Sequence, residues 1–349
     1  MSTTFAEHLR RYGPDQPLRP VSLPEARSYC RHLALTHYEN FSVASLLLPR
    51  RLLRHFHHLY AFCRWADDLG DETDPAEARR LLGWWRQELL DCYDGTPRHP
   101  VLIALQETIR TFAIPPDPFL DLLSAFEQDQ VVKEYETFEQ LLDYCRRSAN
   151  PVGRLILHVT GCYNPERAAL SDAICTGLQL ANFWQDVRRD WDIGRIYLPR
   201  EDRERFRYAD ADLRQRRFTP AFRELMAFEV ERARDFFERG RPLIERMPRE
   251  MQIEIELFIR GGEAILDRIV AQGYDVWKRR PTLSRVEKAA LIVRAVLGRW
   301  LRRAGWPSLT LRVSRRAEGV SPPVNRAEGV SEQMWRAEGV SPPVHEATA

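Results

Sequence analysis

Apolar residues recur along most of the chain at intervals of three and four positions, the spacing of one face of an α-helix. Between positions 50 and 72 this series comprises Leu52, Phe56, Leu59, Tyr60 and Cys63. The stretch 75–95 begins with proline and ends with glycine, as helices commonly do. Further helical blocks are predicted at 98–113, 117–130, 137–161, 165–192, 219–245, 248–273 and 282–304. Strand-like alternation is scarce, and 194–199 is at most a turn-like extension, so the pattern predicts an all-α fold in one large bundle.

The helical pattern stops at about position 306. Three near-identical decapeptides, each opening with Arg-Ala-Glu-Gly-Val-Ser, start at Arg316, Arg326 and Arg336. A ten-residue period matches no solenoid unit, and proline and glycine interrupt any helix. We therefore predict an N-terminal extension at 1–24, one all-α domain at 25–305 and a disordered, low-complexity tail at 306–349, with a partner-binding tail as the alternative.

Composition narrows the class of protein. The 349 residues, 44% of them hydrophobic and 29% charged, suit a globular protein with a sizeable core. A net charge of +2, with scattered basic residues, gives no footprint for nucleic acid. The six cysteines form no Cys-X-X-Cys pair, which favours free thiols in a reducing compartment. Since neither a signal core nor a run of roughly 18 apolar residues is found, we expect a cytoplasmic protein, with peripheral contact to the inner face of the membrane left open.

One helical block carries a row of polar side chains. Asn182, Asp186 and Asp190 are spaced four residues apart among apolar neighbours such as Phe183 and Trp184. A helix turns about 100° per residue, so steps of four keep the three groups on one stripe. The stripe is either a solvated helix face or a cation site, and this block alone leaves both open.

A second acidic row lies in the block 50–72. Asp67 and Asp71 share one helix face, with Asp68 and Glu72 beside them. Carboxylates this close repel one another and weaken a helix. Near the C-terminal end of a helix they also oppose its dipole. A solvated helix end and a cation site are again the two interpretations.

The two Asp-X-X-X-Asp rows together favour the cation site. Carboxylate and amide oxygens are hard ligands that suit Mg²⁺, which usually completes its shell with water and substrate phosphates. Two such rows facing each other across a bundle would hold Mg²⁺ ions and, through them, a diphosphate. The apolar surroundings would enclose the carbocation that remains when the diphosphate leaves. The pattern therefore predicts ionisation of a prenyl diphosphate, with Mg²⁺ as cofactor and Mn²⁺ as the alternative.

Four stretches resemble the squalene/phytoene synthase family: HYENFSVASLLLP at 37–49, YAFCRWADDLGD at 60–71, YCRRSANPVG at 144–153 and QLANFWQDVRRDWDIGRIYLP at 179–199. The resemblance covers roughly residues 25–300. Within the family, the chain is most similar to the bacterial hydroxysqualene synthases of the hopanoid pathway. Those enzymes release diphosphate from presqualene diphosphate, and water captures the cation. The resemblance thus implies a carbon–oxygen lyase that binds presqualene diphosphate, or farnesyl diphosphate, with contact to other pathway enzymes left open. No stretch resembles a nucleotide-binding loop, so no nicotinamide cofactor is expected.

The resemblance also implies roles for individual residues. The Mg²⁺ ligands it implies are Asp67, Asp71, Asn182, Asp186 and Asp190. The residues it implies near the diphosphate and the reacting carbons are His37, Phe41, Tyr60, Arg64 and Gln179. A structural alternative stands beside several of these roles. Arg64 could simply pair with Asp67 or Asp68, His37 could be a structural histidine, and the two aromatic residues could belong to the core.

The chain departs from the usual family motifs at three places. An early Ser-Lys-Ser-Phe motif is replaced by residues 38–41, which removes a lysine, and an arginine before the second acidic motif is replaced by Gln185. A Tyr-Val-Ala-Gly segment is replaced by Arg147, Ser148, Ala149 and Asn150. In eukaryotic squalene synthase that tyrosine is implicated in the first condensation, so Arg147 argues against the joining of two farnesyl diphosphates. Fewer cations near the phosphates also fit one diphosphate per cycle.

The residue that positions the capturing water is not identified by the sequence. Arg147, Asn150 and Tyr274 are the candidates, the last in a stretch expected near the cavity mouth. The alternative within the class is a prenyltransferase that condenses two prenyl diphosphates to presqualene diphosphate, squalene or phytoene. An alternative of another class is a non-catalytic assembly or scaffold protein, which loss of the acidic rows would favour; both rows are intact.

Overall fold

The computed structural model describes residues 4–16, 19–36, 49–284, 286–293 and 295. Over these ranges the regular structure is helical, and no strand is present beyond one isolated parallel bridge between Glu134 and Ile196. The predicted all-α class is therefore confirmed. Residues 306–349 lie outside the described residues, so the predicted division into extension, domain and tail stays a prediction. No helix within the described ranges has the length and apolar character needed to cross a bilayer.

The helices range from 4 residues in α13 to 28 residues in α9. In order they are α1 (Phe5–Tyr12), α2 (Leu23–Thr36), α3 (Arg50–Asp71), α4 (Pro75–Asp94), α5 (Pro100–Phe112), α6 (Asp117–Asp129), α7 (Phe138–Ser148), α8 (Asn150–Val159), α9 (Pro165–Asp192), α10 (Arg200–Arg205), α11 (Asp210–Arg214), α12 (Pro220–Gly240), α13 (Leu243–Arg246) and α14 (Gln252–Ala271). Residues 286–293 are also helical. The predicted block at 165–192 corresponds to α9 in full.

The predicted helix at 137–161 is two helices rather than one. α7 ends at Ser148 and α8 begins at Asn150, with Ala149 between them at φ −118° and ψ −48°. Pro151 explains the break, because its ring lacks an N–H and would clash with the carbonyl of Arg147 in a continuous helix. In the first turn of α8 the same proline is tolerated. The break separates the last turn of α7 from the residues of α8.

Aromatic packing fixes the orientation of α3. Phe62 and Trp65 are almost fully buried, and each stacks on Trp85 of α4, with ring centroids 5.8 and 5.4 Å apart. Large buried aromatic side chains contribute much of the packing energy of a core and restrict rotation of the helix that carries them. Asp67 follows Trp65 by two residues, or about 200° around the helix. Its side chain therefore points away from the aromatic cluster and is 45% exposed.

The position of α9 depends on two glycines that pack against one phenylalanine. Phe237 of α12 is fully buried between Gly177 of α9 and Gly262 of α14. A Cβ atom at Gly262 would lie 2.3 Å from Phe237 Cζ, and one at Gly177 would lie 3.1 Å from Phe237 Cδ1. The first contact is closer than real Cβ atoms approach, and the second would require the ring of Phe237 to shift by a few tenths of an ångström. Glycine at both positions lets the three helices approach, which holds the polar row of α9 in place.

Because His58 is buried, we expect the free energy of unfolding to change with pH. It is 1% exposed, its Nδ1 lies 2.8 Å from Thr108 Oγ1, and burial lowers its pKa to about 3. An unfolded histidine binds a proton near pH 6.5, so the neutral folded form contributes stability above that pH and loses it as the pH falls. Relative to His58→Gln, the wild type is expected to lose about 2 kcal/mol of unfolding free energy between pH 7 and pH 5. Urea unfolding of both proteins measures this, and a pH-independent difference would contradict it.

Candidate active site

A cavity of about 320 Å³ lies between α3, α6, α7, α9 and the segment that follows α9. Five of the residues predicted from the sequence line it together. These are Asp67 and Asp71 of α3 and Gln179, Asn182 and Asp190 of α9. The two acidic rows therefore face one space, although the two helices are far apart in the sequence.

Asp190 is the most strongly perturbed carboxylate of the two rows. Its Oδ2 is buried and has no hydrogen-bond partner among the described residues. Burial, followed by the charge of Asp186, raises the pKa of Asp190 to about 7. Burial, followed by the charge of Asp71, also raises the pKa of Asp67. The folded protein thus holds negative charge that its own side chains only partly compensate.

These observations fit a hard cation. An orphaned carboxylate oxygen and neighbouring carboxylates with raised pKa values are expected where a cation supplies the missing compensation. Within the described residues, however, no three His, Cys, Asp or Glu side chains converge closely enough to hold a metal ion by themselves. Mg²⁺ commonly takes only one or two carboxylates and completes its shell with water and substrate phosphates. The residues present therefore fit Mg²⁺ that is bound together with a diphosphate.

Asp186 does not line this cavity. Arg280 holds its carboxylate with a two-pronged ion pair, in which Nη2 lies 2.7 Å from Oδ2 and Nε contacts Oδ1. The same Nη2 donates to Gln185 Oε1 at 3.1 Å, and Gln185 Nε2 donates to the carbonyl of Pro281 at 2.5 Å. Gln185, a departure from the family motif, thus fastens the segment around Arg280 to α9. The role of Asp186 as a Mg²⁺ ligand stays a prediction.

Arg64 and Tyr60 lie on α3 beside the cavity rather than in its lining. The Arg64 guanidinium donates to Asp68 Oδ2 at 3.0 Å and to Asp67 Oδ2 at 3.4 Å. This is the ion pairing that stands as the structural alternative for Arg64. Tyr60 is partly buried, and burial raises its pKa. Contact of either residue with a diphosphate stays a prediction, and His37 and Phe41 lie outside the described residues.

The three candidates for positioning water have other surroundings. Arg147 donates to Asp143 Oδ2 at 2.7 Å and to Ser124 Oγ at 3.3 Å, on the side of α7 that faces α6. Asn150 is buried, and its Oδ1 accepts the hydroxyl of Thr176 at 3.0 Å. Tyr274 follows α14, has a left-handed backbone with φ 71°, and packs against the core. None of the three is among the residues that line the cavity.

Asn150→Ala is expected to lower the free energy of unfolding by about 1–3 kcal/mol, because the buried hydroxyl of Thr176 loses its acceptor. Turnover should stay within about twofold of wild type if the contribution is structural. Urea unfolding and steady-state kinetics measure the two effects. The second substitution, Thr176→Val, removes the hydroxyl that Asn150→Ala leaves without an acceptor. The double variant should therefore lose less free energy of unfolding than the two single variants lose in sum. A large loss of turnover without a loss of stability would contradict this assignment.

The cavity also contains polar residues to which the sequence pattern assigns no role: Asp129, Tyr144, Ser148, Arg195 and Tyr197. Arg195 Nη2 donates to Asp71 Oδ1 at 3.1 Å, and the Tyr144 hydroxyl donates to Asp129 Oδ2 at 2.8 Å. Burial raises the pKa of Asp129 to about 6, against the opposing effect of Arg195. Tyr197 stacks on Phe183 with ring centroids 3.9 Å apart. The one signal for them in the sequence is that Tyr144, Ser148, Arg195 and Tyr197 fall in family-like stretches, the last two at the predicted turn-like extension.

Main-chain pairing positions the segment that contains Arg195. The N–H of Ile196 donates to the carbonyl of Lys133 at 2.7 Å, and that of Arg200 donates to the carbonyl of Tyr135 at 2.9 Å. These bonds tie the segment after α9 to the segment after α6. Arg195 and Asp129, the last residue of α6, both line the cavity, and the pairing holds them close enough for the charge of Arg195 to act on Asp129.

Comparison with known proteins assigns the chain to a protein family. The sequence profile of squalene/phytoene synthase matches residues 34–287, which is well over half of the chain. The chain belongs to that family. Its members are enzymes that act on prenyl diphosphates, in agreement with the prediction made from the acidic rows.

Individual relatives come from more than one branch of the family. A 15-cis-phytoene synthase of Synechocystis sp. is 33% identical over 273 residues, covering 74% of this chain and 81% of that protein. A presqualene diphosphate synthase of Rhodopseudomonas palustris is 30% identical, covering 73% of this chain and 91% of that protein. The crystal structure of the squalene synthase HpnC from Alicyclobacillus acidocaldarius is 47% identical with a TM-score of 0.70, covering 73% of this chain and 97% of that one. A ligand-bound dehydrosqualene synthase is 25% identical with a TM-score of 0.73, covering 80% and 98%.

Proposed function

We propose that this chain is a hydroxysqualene synthase. It would release diphosphate from presqualene diphosphate with the assistance of Mg²⁺, rearrange the resulting cation and let water capture it. With this reaction the protein would be a lyase of squalene and hopanoid biosynthesis. The likeness to a squalene synthase at 47% identity supports the squalene branch of the family.

The charges of the residues that line the cavity favour a reaction with one bound diphosphate over a reaction with two. Among its described lining residues there are four carboxylates, Asp67, Asp71, Asp129 and Asp190, and one cationic side chain, Arg195. Two prenyl diphosphates bound together would bring twice the negative charge of one and would need correspondingly more compensation. Two departures from the family motif fit the same conclusion, since Gln185 is uncharged and Arg147 pairs with Asp143 outside the cavity lining. The site is therefore better suited to one diphosphate per cycle.

The residues that line the cavity would bind Mg²⁺, bind the diphosphate and exclude bulk water. Asp67, Asp71, Asn182 and Asp190 would hold Mg²⁺, which when bound neutralises the charge that develops on the leaving diphosphate. Arg195 would donate hydrogen bonds to the same diphosphate, because a guanidinium matches phosphate oxygens well. The apolar wall formed by Leu122, Phe126 and Phe183 would exclude bulk water from the carbocation.

Incubation of the purified full-length chain with Mg²⁺ and a single substrate tests the proposal. Presqualene diphosphate is expected to yield hydroxysqualene and inorganic diphosphate. Farnesyl diphosphate alone is expected to yield no condensation product. Formation of presqualene diphosphate, squalene or phytoene from prenyl diphosphates would refute the assignment.

The alternative within the class is a synthase that condenses two prenyl diphosphates. It is favoured by the relatives at 33% and 30% identity, which are a phytoene synthase and a presqualene diphosphate synthase. The same assay with farnesyl or geranylgeranyl diphosphate distinguishes it. A scaffold protein of this family would turn over neither substrate, although the intact acidic rows argue against that role.

A further inference from the structure

Besides the predicted Mg²⁺ ligands, the cavity contains a buried tyrosine–carboxylate pair. Tyr144 is 5% exposed and Asp129 is 7% exposed, and the tyrosine hydroxyl donates to Asp129 Oδ2 at 2.8 Å. Both residues line the cavity. Among the described residues no donor contacts the other oxygen, Oδ1. The pair thus offers one fixed carboxylate oxygen and one that is available to a ligand.

Asp129 lies where the polar end of the cavity meets its apolar wall. Leu122, Ala125 and Phe126 of α6 line the cavity with it. Their spacing of three and four residues puts all four side chains on one face of the helix. A hydrogen-bond acceptor at the end of an apolar stripe can hold one water molecule beside a hydrocarbon chain without opening the cavity to bulk solvent.

Ser148 adds a hydroxyl to the same cavity. It follows Tyr144 by four residues, which is about one turn of α7, and it also lines the cavity. Its Oγ is buried and has no hydrogen-bond partner among the described residues. A rotation about its Cα–Cβ bond therefore breaks no hydrogen bond.

We propose that Asp129 and Ser148 hold the water molecule that captures the carbocation, and that Tyr144 positions the Asp129 carboxylate. This inference depends on the proposed hydroxysqualene synthase activity and names the residues that act after diphosphate has left. Asp129 is a catalytic residue in this scheme, since it contacts the reacting water. Arg147, Asn150 and Tyr274 have no part in it.

The chemical step balances without a further reactant. A lone pair of the water oxygen forms the new carbon–oxygen bond to the cationic carbon, and one water proton passes to Asp129 Oδ1. The products are the neutral alcohol and the protonated carboxyl, which returns its proton to solvent before the next cycle. Without a held water molecule the same cation loses a proton from a neighbouring carbon and gives an alkene. The ratio of alcohol to alkene therefore reports on this cluster separately from ionisation.

The test measures that ratio and the total diphosphate released from presqualene diphosphate with Mg²⁺. Asp129→Asn and Ser148→Val are each expected to lower the alcohol-to-alkene ratio at least about 10-fold. The ratio is taken per diphosphate released, so it reports on capture of the cation even where the rate of ionisation changes. Ser148→Thr keeps the hydroxyl and should restore the ratio. Ser124→Val is the matched control, because that serine bonds the carbonyl of Asp121 at 2.7 Å and does not line the cavity.

The outcomes separate this inference from the proposed function. A wild-type protein that makes no hydroxysqualene overturns both. A wild-type protein that makes hydroxysqualene, with unchanged ratios in Asp129→Asn and Ser148→Val, overturns this inference alone. Complete loss of diphosphate release in Asp129→Asn would assign that carboxylate to ionisation instead. An equal fall of the ratio in Ser124→Val would show that the effect is not specific to the cavity.

Discussion

Asp190→Asn is expected to lower the turnover number by on the order of 10²–10³-fold while the helical fold remains intact. The substitution keeps the shape of the side chain and removes the carboxylate whose Oδ2 is buried without a hydrogen-bond partner among the described residues. An oxygen in that state is the strongest sign in the cavity of a missing cation. Steady-state release of diphosphate and far-ultraviolet circular dichroism measure the two expectations.

The same variant should be more stable than the wild type in the absence of Mg²⁺. The pKa of Asp190 is about 7 in the folded protein, through burial and then Asp186, against about 3.9 when unfolded. Because the pKa is higher in the folded state, this group lowers the free energy of unfolding by a growing amount as the pH rises from about 4 to about 7. Replacing it should add roughly 1–3 kcal/mol of unfolding free energy at pH 7.5 and little at pH 4.

Asp192→Asn is the matched control for Asp190→Asn. Asp192 ends the same helix, is 47% exposed and pairs with Arg216 at 2.6 Å, outside the cavity lining. Asp192→Asn should leave the turnover number unchanged. It should also leave unchanged the rise in unfolding free energy that is expected when Mg²⁺ and inorganic diphosphate bind. Near-normal turnover of Asp190→Asn, or an equal loss in both variants, would refute the metal assignment.

Arg195→Gln is expected to lower kcat/KM for presqualene diphosphate by on the order of 10²-fold. Arg195 is the one cation among the described residues that line the cavity, and its side chain is 16% exposed. Burial opposes its charge, but Asp129 and Asp71 outweigh that effect and raise its pKa. The variant would lose the guanidinium that a diphosphate can bind and would leave those two carboxylates less compensated.

A binding measurement separates loss of diphosphate contact from loss of structure. Inhibition by inorganic diphosphate should weaken in Arg195→Gln, and Arg195→Lys should restore part of it, because lysine keeps the charge but not the two-pronged geometry. Arg217→Gln is the control, since that side chain is 62% exposed and contacts only Asp212, at 3.5 Å, among its described ion-pair partners. Unchanged inhibition in Arg195→Gln would contradict a role in diphosphate binding.

Local regularities in the sequence are enough to predict much of the site. A helical repeat of 3.6 residues relates neighbours three and four positions apart, so residue spacing alone places each acidic row on one helix face. The predicted block 165–192 corresponds to α9, which carries Gln179, Asn182 and Asp190 into the cavity. The prediction of one helix at 137–161 is wrong because the apolar spacing continues across Pro151, whereas the hydrogen-bonded backbone cannot.

Contacts between distant residues do not follow from such regularities. Arg195 and Asp71 are separated by 124 residues, and Arg280 and Asp186 by 94. No spacing rule relates such positions, since their approach depends on how whole helices pack. Asp129 and Tyr144 are only 15 residues apart, yet they belong to different helices and meet across the α6–α7 connection.

The sequence by itself determined the all-α class, the two acidic rows and the membership of a family that acts on prenyl diphosphates. These depend on periodicity and on motifs, which are properties of consecutive residues. The tertiary structure alone decided which polar groups share the cavity. Asp129, Tyr144, Ser148 and Arg195 line the same cavity as residues of the two acidic rows. Asp186 forms an ion pair with Arg280 instead of lining the cavity. Arg147 and Asn150 also lie outside the cavity lining. The physical reason is that burial and ion pairing depend on distance in space, and packing of the helices sets that distance.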